Sequence, residues 1–364
     1  MSPATARMLP SEGADGVTLV VINCMGSGGG QLKSKNGGMK LGEVFGHAMR
    51  AFHAEVAIGP ETEVVFLVSE PNWNTLSHLI PEPRSASWVP SPGGEGGAAV
   101  VWGSEQLGRA GIDCSPPVPT LTLRPRHSSW YNALLSRVAV AELQLPLPAP
   151  SGGASTCLFL CYHGPYKDIG GGRMSVNDKV KWARSLFELA WALATRAGEP
   201  IAVGGDFNLS AAGVEAAQYV PSGAIFEEVK YDPSPRKAHK EKIDWLFLLS
   251  PRGCTLQLCP CTAVRVLDPA EPHRRVAEVH AKFFDHDAII VGLALAVRWN
   301  VVQAQAAVRI QDAARSSAAR QGAKAPAAAA RAEAAVWVID LRFLTAHCCA
   351  SVGIRRVLTF ADGA

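Results

Sequence analysis

The run Ile201-Ala202-Val203-Gly204-Gly205-Asp206-Phe207-Asn208 constrains this chain more than any other stretch. An apolar segment opening after Pro200 has the length and character of a buried strand, and two glycines then let the backbone turn without a Cβ clash. Asp206 and Asn208 follow, two apart with Phe207 between them. In extended backbone their side chains share one face while Phe207 packs on the other. Such a strand end presents an acid and an amide to a cleft. The same residues are favoured in an ordinary turn after a core strand, and this stretch alone leaves turn and site equally open.

Other strand ends follow the same pattern. Val17 to Ile22 is β-rich and delivers Asn23, and Glu63 to Ser69 ends at Glu70, closed by Pro71. Ser155 to Tyr162 delivers His163, and the strand Ile243 to Leu249 carries Asp244 near its start. Asp285 and His286 precede the last strand, Ala288 to Val297. Shorter strands are predicted over Val100 to Gly103, Thr120 to Leu123 and Ser136 to Leu145, and Pro81 to Gly97 reads as a loop. Helical spacing of apolar residues predicts one helix from Met39 to Val56 and another over Lys179 to Ala197, capped by Asn177 or Asp178 and ended by Gly198. Many strands with two interspersed helices predict an α+β or layered α/β architecture, sheet on sheet inside and helices outside.

At 364 residues the chain is long enough for a two-sheet domain with an appendage. The formal net charge of +3, with no long run of one sign, does not by itself call for nucleic acid as a partner. The 9 cysteines show no disulfide regularity and predict reduced, mostly core thiols. Cys254, Cys259 and Cys261 lack the paired Cys-x-x-Cys spacing of a zinc site. There is no secretory signal pattern, and no apolar run reaches the roughly 18 residues of a membrane span. These features predict a soluble, intracellular protein of the cytoplasm, the nucleus or an organelle.

Taken in order, the strand ends resemble the endonuclease/exonuclease/phosphatase superfamily, the deoxyribonuclease I-like proteins, over residues 16 to 298. Asn23-Cys-Met-Gly is similar to the family's first strand-end motif, and Phe-Leu-Val-Ser-Glu70 to its Leu-Gln-Glu metal motif, with Ser69 where Gln is common. Cys161-Tyr-His163-Gly-Pro resembles the histidine-bearing strand end, and Gly204-Gly-Asp206-Phe-Asn208 the family signature. Lys242-Ile-Asp244-Trp is similar to Arg-Ile-Asp-Tyr, and Phe284-Asp285-His286 to Ser-Asp-His with Phe in place of Ser.

The resemblance implies two packed β-sheets flanked by helices, a four-layer α/β/β/α sandwich. It also implies a Mg²⁺-dependent hydrolase of phosphoesters, with Mn²⁺ as a substitute metal, acting as an endo- or exonuclease on DNA or RNA. Inositol phosphates and phospholipids are alternative substrates within the family, and Ser69 and Phe284 raise the alternative of a catalytically weakened scaffold. A hard cation held by carboxylate and amide oxygens neutralises phosphate charge without soft ligands. By resemblance Glu70 is the metal ligand, helped by Asn23 and Asp285. Asp206, oriented by Asn208, is the base, Asp244 pairs with His286, and His163 donates to the phosphate or leaving group.

Lys237, Lys240 and Lys242, just before Asp244, suit a phosphate backbone at the rim of the cleft, or form a solvated loop. Tyr166 adds a surface for stacking. Residues 1–15 are expected to be a flexible N-terminus and residues 299–335 an Ala/Arg-rich helix. Within that helix Ile310-Gln311, Arg315 and Arg320 resemble the IQ spacing that calmodulin-like proteins grip, across 308–320, although a plain helical linker accounts for them too. Residues 336–364 form an apolar tail with no assigned role.

Overall fold

The short apolar runs, rich in β-branched residues and bounded by turn residues, form strands. The computed structural model describes residues 17–24, 63–71, 85–89, 97–103, 108–109, 134–146, 154–166, 172–231, 242–267 and 286–321. The chain divides into two units, residues 1–297 and 298–364.

In the first unit, one sheet contains β1 (Val17–Asn23), β2 (Glu63–Ser69), β3 (Ser85–Val89) and β4 (Ala98–Trp102). The second contains β5 (Gly108–Arg109), β6 (Val138–Pro146), β7 (Ala154–His163), β8 (Ile201–Asp206), β9 (Ile225–Glu228) and β10 (Asp244–Ser250). The chain then returns to the first sheet with β11 (Leu256–Pro260), β12 (Arg265–Leu267) and β13 (Ala288–Val297). The first sheet runs β11-β13-β1-β2-β4-β3, with β12 also on β13, and the second runs β5-β6-β7-β8-β10-β9. Only β1 with β2 and β7 with β8 pair in parallel among the described strands.

The inner faces of the two sheets share one core. Leu19, Val21, Val65, Leu67 and Trp102 from the first meet Ala139, Phe159, Cys161, Leu246 and Leu248 from the second. Helix α1 (Val176–Ala197) covers the opposite face of the second sheet, where Leu186, Phe187 and Trp191 pack with Leu160, Val203 and Phe247. Short α2 (Ala211–Ala217) adds Val214 to that layer. The other face of the first sheet, with Val20, Ile22, Phe66 and Val101, is buried as well. A sheet covered on both faces is what the sandwich requires. The helix expected over 39–56 and the strand expected over 120–123 lie outside the described residues.

Three sequence expectations are corrected. Helix α1 starts three residues before Lys179, and its cap is Ser175, whose hydroxyl accepts from Asp178 N and donates to Asp178 Oδ2, while Gly198 closes it in the left-handed conformation at φ 73°. The stretch read as a loop from Pro81 to Gly97 contains edge strand β3, whose partner β4 supplies the order that its own mixed sequence does not signal. Strands β9, β11 and β12 and helix α2 were not anticipated, being too short to show a period.

In the second unit, α3 (Trp299–Gln321) is helical. Its Gln311 and Arg315 are exposed, with Arg315 Nη1 3.5 Å from Asp312 Oδ1. The Ile310 side chain and residues 322–364 lie outside the described residues. No described helix is long and apolar enough to cross a membrane, and the six described cysteines are thiols outside any disulfide.

The glycine pair sets how closely the sheets meet. A Cβ on Gly204 would lie 2.9 Å from Leu67 Cδ1 and 3.1 Å from Val21 Cγ2, both across the interface. Gly205 has φ 134°, and a Cβ there would run into the backbone carbonyl of Tyr162, which cannot rotate away. Gly205→Ala is therefore expected to cost about 3 kcal/mol or more, and Gly204→Ala, which meets side chains, about 1–2 kcal/mol. Urea unfolding of the two variants at unchanged slope checks the order.

Candidate active site

Register places the polar strand ends side by side. Asn23 pairs with Ser69 across β1 and β2. In the second sheet His163 pairs with Asp206, and Asp206 with Asp244, so one row crosses β7, β8 and β10. Residues remote in sequence become neighbours because each ends a strand at the same edge.

Asp206 is buried, and its carboxylate is held from several sides. Oδ1 accepts the Asn208 backbone N–H at 2.7 Å, and Oδ2 accepts the Asn23 and Asn208 side-chain amides, each at 3.2 Å. The same Asn208 amide reaches Gly164 O at 2.9 Å. The chain is not extended through this signature as the sequence suggested. Asn208 adopts φ 51°, a left-handed conformation that Asn tolerates, and this turn folds its amide back onto Asp206. Phe207 does pack away from the cleft, edge-on to Tyr162 with ring centroids 5.1 Å apart.

Burial pushes the Asp206 carboxyl up to about 6, and the neighbouring Asp244 charge acts in the same direction. His286, His163 and the Asn208 N–H oppose the shift. Glu70 also feels burial, but a hydrogen bond and charge from His163, the charge of His286 and a hydrogen bond from Asn23 outweigh it and hold Glu70 below its ordinary value. Like Asn208, Glu70 is in the left-handed region, at φ 54°, anchored by its N–H to Gly97 O at 3.0 Å.

The imidazoles have distinct settings. His286 Nδ1 lies 2.7 Å from Asp244 Oδ2, which fixes the ring and puts its proton on Nδ1. His163 Nδ1 lies 3.4 Å from Arg137 Nη1, and because a guanidinium only donates, the His163 proton sits on Nε2. That Nε2 is buried, 3.1 Å from Glu70 Oε1, the contact that helps hold Glu70 down, and 3.9 Å from Asp206 Oδ2.

Ligand atoms of Glu70, His163 and Asp206 lie within 4.8 Å of one another, as do those of Asp206, Asp244 and His286. The oxygens of Glu70 and Asp206 suit a hard divalent cation, whereas a protonated Nε2 makes His163 a donor and not a ligand.

Asn23, Glu70, His163, Asp206, Asn208, Asp244 and His286 thus converge. Asp285, Lys237 and Lys240 lie outside the described residues. Tyr166 stands at the rim, 51% exposed, with Arg173 Cζ 5.9 Å and Lys179 Nζ 5.1 Å from its ring centroid. Lys242 is engaged within the protein. Its Nζ is 2.8 Å from Glu228 Oε1 and 4.1 and 4.2 Å from the Tyr231 and Trp245 ring centroids. It lines a groove of about 680 Å³ with Glu215, Gln218, Glu228 and Lys230, a mixed-charge wall that does not favour phosphate.

Sequence reasoning missed Arg137, Lys179 and the role of Ser69. Arg137 precedes β6, and only the pairing of Val138 with Tyr162 brings it opposite His163. Ser69 is no empty substitute for Gln, because its buried Oγ accepts the Asp206 N–H at 3.0 Å and donates to Tyr162 O at 3.3 Å, joining the two sheets beneath the site. Ser69→Ala leaves both partners unsatisfied and is expected to cost about 2 kcal/mol. Chemical unfolding measures that cost, and faster amide exchange at Asp206 locates it.

No family model and no curated protein matches the sequence. Several solved structures are similar over most of this chain. The Xenopus laevis APE2 catalytic domain is 11% identical, covering 77% of this chain and 93% of that one at TM-score 0.45. D. rerio TDP2 complexed with a single strand DNA product is 12% identical, covering 76% and 98% at 0.44. An endonuclease/exonuclease/phosphatase from Bacteroides vulgatus is 11% identical, covering 77% and 99% at 0.45. In this chain two mixed sheets pack face to face with their polar strand ends gathered at one edge, the sheet-on-sheet architecture expected from the sequence.

Proposed function

We propose that this protein is a Mg²⁺-dependent phosphodiesterase acting on nucleic acid. The observation that carries the reading is the gathering of Glu70, Asp206 and Asp244 with two imidazoles at one buried sheet edge. So many acids in so little water call for a cation. Mg²⁺, or Mn²⁺ in its place, held by Glu70 with Asn23 and Asp285 would neutralise charge developing on the phosphate oxygens.

The chain's own residues supply the proton chemistry. Asp206, both oxygens steered by Asn23 and Asn208, takes the proton of the attacking water. The water oxygen bonds to phosphorus, the opposite P–O bond breaks, and a phosphate monoester and a hydroxyl leave. The buried Nε2–H of His163, beside Glu70 Oε1, donates to a phosphoryl oxygen. His286, held through Nδ1–H by Asp244 and carrying a second proton on Nε2, gives that proton to the departing oxygen, which leaves as a hydroxyl, and the proton taken up by Asp206 returns through solvent to restore the pair.

Nucleic acid is favoured over a small phosphate ester by Tyr166. An exposed ring with the Arg173 guanidinium beside it offers stacking to a base and attraction to its phosphate.

Purified protein is expected to cleave DNA or RNA with Mg²⁺ and to stop on addition of chelator, while Asp206→Ala loses about 10²–10⁴ in kcat. The same panel should include inositol phosphates and phospholipids. Turnover of these alone would replace the nucleic-acid reading, and no turnover of any phosphoester would end the enzymatic one. Tyr166→Ala is expected to raise KM on nucleic acid about tenfold and to change kcat less, as measured by initial rates over substrate concentration.

A further inference from the structure

We propose that Lys179 is a positioning residue of the site: its buried ammonium holds the Asn208 carbonyl, and with it the left-handed turn that aims Asn208 at Asp206. The catalytic consequence rests on the phosphodiesterase reading, whereas the structural one does not.

Lys179 sits where a cation is disfavoured. It lies in the first turn or so of α1, the end of a helix that repels positive charge. Only 7% of it is exposed, although a buried ammonium is costly unless paired. Arg173, on the same Tyr166 ring, is a second positive charge nearby. Burial, and then Arg173, pull the Lys179 ammonium below its ordinary range, while Asp206 acts in the opposite direction. A residue placed only to stabilise α1 would avoid all three penalties.

What the ammonium does reach is the turn. Nζ donates to Asn208 O at 3.1 Å. Asn208 is one of only two described non-glycine residues with positive φ, the other being Glu70 of the same site. Such a conformation persists only when its surroundings over-determine it. The Asn208 N–H and amide are committed to Asp206 and Gly164, so its carbonyl is the remaining handle, and Lys179 grips it. Without that grip Asn208 can relax toward ordinary backbone angles, and Asp206 loses two of the three donors that steer it.

The test compares Lys179→Met and Lys179→Arg in the full chain, reading Asn208 amide exchange by NMR beside kcat and KM on the nucleic acid that wild type cleaves. Lys179→Met is expected to speed Asn208 N–H exchange about tenfold or more. It should lower kcat about tenfold with KM within about twofold, since the ground-state contacts are untouched. Lys179→Arg keeps a charged donor and should restore both readouts to within about threefold. Lys179→Met that cleaves and protects Asn208 like wild type overturns the proposal, as does slower cleavage with unchanged exchange. A raised KM at constant kcat overturns it too, by making Lys179 a substrate contact. If Lys179→Met does not fold, Lys179→Gln, with a shorter neutral donor, should fall between Met and Arg expectations, and wild-type behaviour there counts against the proposal. A wild type that cleaves no phosphoester contradicts the phosphodiesterase reading and leaves amide exchange to decide the role of Lys179.

Discussion

The architecture depends on residues 204–206 of β8 lying tight against the first sheet and the neighbouring strand, with no side chain on the two glycines to hold them off. Gly204 lets Leu67 and Val21 close from the first sheet, and Gly205 lets Tyr162 O approach from the neighbouring strand. Ser69 then bridges the gap, bonding Asp206 N on one side and Tyr162 O on the other. These contacts place a carboxylate from the second sheet beside an acid and an amide from the first. Removing any of them does more than loosen a core, because the acid at the centre moves with the backbone that carries it.

A second consequence is electrostatic. Burial leaves Asp206 poorly hydrated and the Asp244 charge adds to the effect, which is why Asp206 binds its proton more tightly than an ordinary aspartate. The surrounding donors limit this without abolishing it. Asn23 and Asn208 satisfy Asp206, Arg137 sets the tautomer of His163, and Asp244 holds His286. What these groups leave over is net negative charge and, beside it, the buried Nε2–H of His163, and a phosphoester with a divalent cation is complementary to both.

Much of this was legible in sequence, and the remainder was hidden for definite reasons. Apolar runs ending in Asn23, Glu70, His163 and Asp206 announce strands that deliver polar groups, because β-rich segments end where burial ends. Their meeting at one edge was visible only through the family pattern, since strand spacing does not encode sheet order. Register hid Arg137, whose place opposite His163 exists only once β6 and β7 are paired. The turn at Asn208 was misjudged as extended because Asn accepts either conformation and tertiary bonds decide. Ser69 looked like a loss when read against Gln, yet its shorter side chain is what fits between the two sheets. Edge strand β3 escaped because four or five mixed residues show no period.

If these acids form a divalent-cation centre, anomalous diffraction from crystals soaked in Mn²⁺ will locate the ion among them. A strong peak is expected at Glu70, within bonding distance of its carboxylate, with Asp206 beside it and His163 Nε2 outside the coordination sphere. A peak ligated by His163 Nε2, or no peak at this edge in crystals that bind Mn²⁺ elsewhere, would contradict it.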